Sequence, residues 1–263
     1  MADKKVKVGA VQFDVVKGDT KANMEKAVFY LSELADNGAC LGVLPELFSS
    51  GFDNENIKSR TEETQSCLET LAEFAKNRSI AIAGSLPTIE SGQVFNTLYY
   101  IDSDGRLIGQ YNKLHLFRLT DEHKFYTPGN NAVTLDTRIG HLGVMICYDL
   151  RFPELARKLC LDGAKLFVVC AQWPSARLSH WKALIRARAI ENQSYFICSN
   201  RTGIDEDGLE FPGNSLIVDP DGQILAQGSD RPGSICSEID MAMVDRTRSL
   251  IPIAKDRRKD IYG

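Results

Sequence analysis

Residues 142–153 have the sequence LGVMICYDLRFP, and this stretch decides the fold. Residues 142–146 are apolar or glycine and predict a buried strand, while Pro153 opens a segment with the spacing of a short helix. Cys147 therefore lies at a tight turn between a strand and a helix. This arrangement is typical of a nucleophile elbow, which presents a reactive side chain above the edge of a sheet. The alternative is a core cysteine that simply continues the strand.

The rest of the chain alternates short apolar runs with longer segments of helical spacing, which predicts an α/β fold. The predicted strands cover residues 6–13, 41–44, 80–85, 95–101, 107–112, 140–146, 166–171, 195–200, 215–218, 224–226 and 236–239. The predicted helices cover residues 20–35, 62–77, 153–161 and 179–193. Two pairs of strands are joined by turn sequences and predict hairpins, so the sheets should be mixed. Without a linker or a repeat, residues 1–263 are predicted to form one domain.

The composition is that of an ordinary globular enzyme, with 43% apolar and 25% charged residues in a chain of 263. A net charge of −4 gives no reason to expect a nucleic-acid or anionic-lipid partner. The seven cysteines form no CxxC pair, which favours buried thiols in a reducing compartment. The N-terminus lacks a signal-peptide core, and no apolar run approaches the roughly 18 residues of a spanning helix. We therefore expect a cytoplasmic protein without a membrane partner.

Three polar residues follow the ends of predicted strands, where α/β sheets form their ligand sites. Glu46 follows LGVLP, Lys113 follows LIGQYN, and Cys147 ends the strand quoted above. A nucleophilic thiol needs a base, and a carboxylate can serve if burial raises its pKa. None of the four histidines has an obvious claim to that task, although a Cys–His dyad stays open. Taken singly, Glu46 could be a loop glutamate and Lys113 a surface lysine.

Other chemistries have little support in the sequence. It contains no GxxxxGK[ST] or GxGxxG pattern for phosphates or dinucleotides. It also contains no HExxH or HxH pair, so we expect neither a metal nor an organic cofactor.

Taken together, these segments resemble the nitrilase superfamily of carbon–nitrogen hydrolases. The resemblance spans essentially the whole chain. It rests on VGAVQ at residues 8–12, LPE at 44–46, YNKLHL at 111–116 and ICYDLRFPE at 146–154. It implies a four-layer α-β-β-α sandwich that dimerises through helices on its face. It also implies that Cys147 is the nucleophile, Glu46 the base and Lys113 the oxyanion stabiliser. The loop DEHKFYTPG at 121–129 resembles the segment that carries a second glutamate, here Glu122.

Four further segments resemble the ω-amidase branch, which hydrolyses monoamides of 2-oxo dicarboxylic acids. They are KLHLFR at residues 113–118, AQWP at 171–174, AIENQ at 189–193 and NRTG at 200–203. We therefore expect a small-molecule amide to be cleaved to an acid and ammonia through a cysteine thioester. A nitrilase, a formamidase, an N-carbamoyl hydrolase or a non-enzymatic ligand-binding member of the fold are the alternatives.

A carboxylate on such a substrate needs a cationic partner, and Arg151 and Arg201 are the candidates because both lie near strand ends. A structural salt bridge to a nearby glutamate is the alternative for each arginine. Phe117, Tyr126 and Trp173 could form the apolar wall of the site, or could simply pack in the core.

Overall fold

The structure is a computed structural model that describes residues 5–262. Within that range two six-stranded sheets account for most of the strands. The first sheet has the spatial order β14-β1-β2-β3-β4-β5. Its strands are β1 (Lys5–Gln12), β2 (Leu41–Val43), β3 (Ala81–Glu90), β4 (Gln93–Ile101), β5 (Leu107–Asn112) and β14 (Gly233–Asp240). The second sheet has the order β13-β12-β9-β8-β7-β6. Its strands are β6 (Thr134–Thr137), β7 (Gly140–Ile146), β8 (Leu166–Ala171), β9 (Tyr195–Asn200), β12 (Leu216–Val218) and β13 (Ile224–Gln227).

The remaining elements are a small ribbon and the helices. The ribbon pairs β10 (Thr202–Ile204) with β11 (Glu210–Pro212). The helices are α1 (Thr20–Asp36), α2 (Ile57–Arg78), α3 (Glu122–Phe125), α4 (Pro153–Leu161), α5 (Leu178–Asn192), α6 (Met241–Leu250), α7 (Ile253–Asp256) and α8 (Lys259–Tyr262). Short 3-10 helices cover Asn54–Asn56, Arg118–Thr120, Cys147–Arg151 and Ser175–Arg177. None of the helices in this described part of the chain is long and apolar enough to cross a membrane.

Alternating side chains divide each sheet between two apolar layers. In β1, Val8 and Ala10 face the second sheet, whereas Val11 faces α1 and α2. The second sheet in turn buries Leu155 of α4 and Ile185 of α5 on its outer face. The layers therefore run helix, sheet, sheet, helix, which confirms the predicted four-layer α-β-β-α sandwich.

The centre of each sheet is parallel and its margins are antiparallel, which confirms the predicted mixed sheets. In the first sheet β1, β2 and β3 run parallel, and in the second β7, β8 and β9 do so. Ile146 pairs with Cys170 in the latter group, so the chain after β7 and the chain after β8 emerge side by side. Because carboxyl ends of parallel strands meet at one edge, the residues after β7 and β8 share an edge of the second sheet. The turn after β2 of the first sheet meets them there, since the backbone N–H of Glu46 donates to the carbonyl of Ala171 at 3.4 Å.

Most element bounds agree with the sequence predictions, and the differences have local causes. The strands β7, β8 and β9 and the helix α4 have the predicted bounds. Helix α2 begins at Ile57 rather than at residue 62. The first turns bury Thr61 and Thr64, which are not apolar, so the apolar spacing did not indicate them. Thr64 donates to the carbonyl of Pro87 at 2.5 Å, which ties this turn to β3. The elements β6 and α3, the ribbon β10–β11 and the helices after β14 were not predicted.

Gly143 offers a test of how tightly the second sheet is packed. A Cβ atom at this position would lie 2.6 Å from the ring of Phe167. That ring stacks on Phe196 with centroids 4.5 Å apart, so it has little freedom to move. Gly143→Ala should lower the free energy of unfolding by about 1–3 kcal/mol, measured by urea unfolding. Gly233→Ala is the matched control, because no atom lies within 4 Å of its Cβ position in β14. Equal stability of the two variants would contradict the tight packing.

Candidate active site

The turn after β7 holds Cys147 in a strained backbone conformation. Its φ of +44° lies in the left-handed region, which is uncommon for a residue other than glycine. The side chain of Asp149 stabilises this turn by accepting from the backbone N–H of Ile146 at 2.9 Å. Asp149 also accepts from the hydroxyl of Tyr111 at 2.7 Å and from the backbone N–H of His115 at 3.0 Å. The elbow is thereby fixed to the loop that follows β5.

Glu46 lies in the turn after β2 and is fully buried. Its Oε1 accepts from Nζ of Lys113 at 2.7 Å and from Nδ2 of Asn96 at 2.8 Å. Its Oε2 accepts from the backbone N–H of Gln172 at 3.0 Å. Glu46 and Cys147 line the same cavity. Three separate segments therefore fix Glu46 beside Cys147.

Lys113 follows β5, and its ammonium donates to two carboxylates. Besides the bond to Glu46, its Nζ donates to both oxygens of Glu122 at 2.9 Å each. Glu122 is buried at the start of α3 and accepts from the backbone N–H of Phe117 at 2.7 Å. The ammonium therefore joins two carboxylates that lie far apart in the sequence.

The electrostatics of this cluster decide which groups carry protons. Burial alone would lower the pKa of Lys113, but the charges of Glu122 and Glu46 raise it well above its usual value. Burial raises the pKa of Glu122, and the neighbouring charge of Glu46 raises it further. Burial, followed by the charge of Glu46, raises the pKa of the Cys147 thiol well above its usual value. The resting site thus contains a charged lysine and a neutral thiol.

Two adjoining cavities open onto Cys147. The larger has a volume of 260 Å³, with Glu46 and Lys113 also in its wall. Asp205 and Lys17 also line it. The smaller has a volume of 30 Å³. Its other lining residues are Phe117, Tyr148, Arg151, Gln172, Trp173, Pro174 and Arg177. A surface groove of 850 Å³ between α4 and the C-terminal helices lies apart from this chemistry.

The residues predicted for substrate binding occupy different environments. Phe117 and Trp173 line the small cavity, and the guanidinium of Arg151 lies 4.7 Å from the centroid of the Trp173 ring. Tyr126 is buried and packs edge-on against Phe52, so it lies behind the cavity wall rather than in it. Its backbone N–H bonds to the carbonyl of Glu122, which closes α3 and turns the ring inward.

Arg201 is buried at the end of β9 and donates to protein acceptors. It bonds Gln172, Asp14 and the carbonyl of Val15. Neither Arg201 nor Arg151 forms an ion pair with a nearby glutamate within residues 5–262. The partner of Arg201 is instead Asp14, at 3.0 Å.

Two polar residues that contact the cluster were not predicted from the sequence. Asn96 lies at the centre of β4 and is fully buried, and its amide donates to Glu46 and, at 3.4 Å, to Glu122. The signal was a polar residue inside an apolar strand. Gln172 follows β8 and contributes its backbone N–H to Glu46.

The ring of His115 lies 2.8 Å from Asp149, so it is engaged away from the thiol.

The chain is similar in sequence to proteins of a known family. The sequence matches the profile of the family described as carbon–nitrogen hydrolase over residues 7–249. The chain belongs to this family. The carbon–nitrogen hydrolase is 38% identical over 257 residues to a 2-oxoglutaramate amidase from Bacillus subtilis, with 97% of this chain and 98% of the relative covered. The predicted superfamily is thereby confirmed.

Solved structures of similar proteins superpose over nearly the whole carbon–nitrogen hydrolase. Saccharomyces cerevisiae Nit3, a member of branch 10 of the nitrilase superfamily, has a TM-score of 0.89 and 29% identity, with 97% of each chain covered. A mutant of the amidase from Nesterenkonia sp. AN1 has a TM-score of 0.87 and 26% identity, with 98% of this chain and 95% of that chain covered. In that structure the acetamide moiety of fluoroacetamide is covalently added to the active-site cysteine.

In the part of the chain that the structure describes, no group of three or more His, Cys, Asp or Glu side chains is arranged to hold a metal ion.

The charge balance of the cluster predicts unequal effects on stability. Lys113→Met removes the only cation contacting Glu46 and Glu122 within the described residues, and leaves two buried carboxylates together. It should cost about 3–5 kcal/mol of unfolding free energy in urea. Glu122→Gln leaves the Lys113–Glu46 pair balanced and should cost distinctly less. A larger loss for Glu122→Gln than for Lys113→Met would contradict this charge assignment.

Proposed function

We propose that the enzyme hydrolyses a small-molecule amide to a carboxylic acid and ammonia through a thioester on Cys147. The observation that carries the proposal is that Cys147, Glu46 and Lys113 line one cavity, with the ammonium of Lys113 donating to Glu46 at 2.7 Å. The covalently modified cysteine of the Nesterenkonia amidase supports the same kind of intermediate. An ammonia-release assay over short amides tests it directly.

The first half-reaction forms the thioester. Glu46 takes the thiol proton as the sulfur attacks the amide carbon, and the carbonyl oxygen becomes an oxyanion beside Lys113. The C–N bond then breaks, and the nitrogen takes the proton from Glu46 and leaves as ammonia. A single preorganised donor to such an oxyanion lowers the activation free energy by roughly 3–4 kcal/mol.

The second half-reaction releases the acid. Glu46 takes a proton from water as the oxygen attacks the thioester carbon, and Lys113 again faces the oxyanion. The C–S bond breaks, and the thiolate recovers the proton from Glu46. Both oxygens of Glu122 are engaged by Lys113 or by the backbone of Phe117, so Glu122 is assigned to holding the lysine charged and in place.

The favoured substrate class is the monoamide of a 2-oxo dicarboxylic acid. The name of the Bacillus subtilis relative supports an ω-amidase activity. Arg151 is the better candidate for the distal carboxylate, because it lines the small cavity with Cys147. The guanidinium of Arg151 lies 3.3 Å from Nδ1 of His180. The guanidinium of Arg201, in contrast, donates to Gln172 and Asp14. The guanidinium fork of Arg151 suits bidentate binding of a carboxylate.

We also propose that the enzyme is a cytoplasmic homodimer. The outer face of the second helical layer exposes Leu161 of α4 and Ile190 of α5, with 44% and 48% of their surface accessible. This face borders the 850 Å³ groove and could pack against its copy. The seven cysteines are all free, which accords with a reducing compartment. Sedimentation of the purified protein tests the dimer.

Replacement of the nucleophile is the first test of the mechanism. Cys147→Ala should lower kcat by several orders of magnitude while leaving the fold intact, because no other group can form the thioester. Ammonia release and far-UV circular dichroism provide the two measurements.

Two other cysteines serve as controls for that replacement. Cys160→Ala and Cys170→Ala should keep most of the activity per folded molecule, since neither thiol lines either cavity at Cys147. Near-normal ammonia release by Cys147→Ala would end the thioester mechanism.

Substrate charge should depend on Arg151. Arg151→Met should lower kcat/KM for 2-oxosuccinamate by at least about tenfold, from the 1.5–3 kcal/mol of a charge-assisted hydrogen bond. The neutral amide butyramide should be affected far less. Arg118→Met removes the same charge from an exposed position outside both cavities and is the control. Equal losses on the two substrates would remove the carboxylate assignment, and faster turnover of a nitrile would indicate a nitrilase.

A further inference from the structure

Arg201 occupies a position that a substrate-binding arginine would not need. Only 3% of its surface is exposed, although its guanidinium reaches the wall of the larger cavity. Its Nη1 donates to Oε1 of Gln172 at 2.9 Å. Its Nη2 donates to Oδ1 of Asp14 at 3.0 Å and to the carbonyl of Val15 at 2.8 Å. The ring of Phe211 covers the guanidinium with its centroid 4.3 Å away. The group is therefore neutralised and held rigidly within the protein.

The contact with Gln172 determines how that side chain is oriented. A guanidinium has only donors, so the amide oxygen of Gln172 must face Arg201 and the NH₂ group must face away. The NH₂ group then donates to the backbone carbonyl of Glu46 at 2.8 Å. The backbone N–H of the same Gln172 donates to Oε2 of Glu46 at 3.0 Å. Gln172 thus holds both the backbone and the carboxylate of Glu46.

The two oxygens of Glu46 have different surroundings. Oε1 accepts from both Lys113 and Asn96. Oε2 accepts from one donor, the backbone N–H of Gln172. Oε2 is therefore the oxygen left to receive the thiol proton, and its direction depends on Gln172. A general base must lie within hydrogen-bond reach of the proton that it takes.

We propose that Arg201 is a positioning residue that fixes the base Glu46 through Gln172, and that it does not bind the substrate carboxylate. This inference rests on the proposed function, because it takes Glu46 as the base. Asp14 supplies the countercharge that lets the guanidinium stay buried. The chain of contacts runs from Asp14 through Arg201 and Gln172 to Glu46.

The decisive measurement separates kcat from KM on two substrates. Arg201→Lys keeps the charge but loses the fork that reaches Gln172 and Asp14 together. It should lower kcat by about tenfold or more, and by the same factor for 2-oxosuccinamate and for butyramide, because a displaced base slows both reactions. KM should change little. A loss confined to 2-oxosuccinamate and expressed as a higher KM would overturn the proposal and make Arg201 a carboxylate ligand.

A double-mutant cycle tests the path through Gln172. Gln172→Met keeps the side-chain volume but removes both amide contacts, and should also lower kcat on both substrates. The combined variant Arg201→Lys with Gln172→Met should be no slower than Gln172→Met alone, since the two residues act in series. Losses that multiply would overturn the proposed path. If Arg201→Lys fails to fold by circular dichroism, unchanged kcat in Gln172→Met would overturn it equally.

Glu46→Gln separates a failure of the proposed function from a failure of the positioning role of Arg201. Full activity of Glu46→Gln would end the proposed function, because the assigned base would be dispensable. An inactive Glu46→Gln together with wild-type kcat in Arg201→Lys would end only the positioning role of Arg201.

Discussion

The arrangement depends on one buried ion cluster, in which the ammonium of Lys113 lies between the carboxylates of Glu46 and Glu122. Charges of this kind are costly to bury unless each is paired and hydrogen-bonded. The cluster meets that condition with Asn96 and the backbone N–H groups of Phe117 and Gln172. Burial, followed by the charge of Glu46, raises the pKa of the Cys147 thiol, so the thiol rests in its neutral form.

The cluster also links the two sheets. Asn96 lies in β4 and Lys113 follows β5, both in the first sheet, whereas Cys147 and Gln172 follow strands of the second. Glu46 joins them, because its turn leaves the first sheet and receives a hydrogen bond from the second. A shift of one sheet against the other would therefore separate buried charges as well as disturb apolar packing. The catalytic geometry and the stability of the sandwich are consequences of the same contact between sheets.

The sequence was sufficient for elements whose signals are local. The run before Cys147, the helix begun by Pro153 and the two hairpins all depend on residues near one another, and all were predicted correctly. Asn96 and Arg201 depend on partners 50 and 187 residues away, and no local pattern can indicate such pairs. Tyr126 was expected in the cavity wall for the same reason, because only the closure of α3 decides which way its ring points. Catalytic roles could be predicted where a family motif existed, but the residues that hold those groups in place could not.

The hydrogen bonds of Lys113 connect proton transfer with oxyanion stabilisation. An ammonium has three protons. At rest one is given to Glu46, and the two oxygens of Glu122 lie too close together to take separate protons and share a second. The third proton remains for a substrate oxygen. In the proposed mechanism Glu46 becomes neutral as it accepts the thiol proton, and its hold on Lys113 weakens because a neutral acceptor forms a weaker bond to a cation. The charge of Lys113 is then less compensated as the carbonyl oxygen gains its negative charge. Lys113 thus binds the transition state more strongly than the substrate, which is the condition for catalysis, and Glu122 keeps the ammonium in place during the exchange.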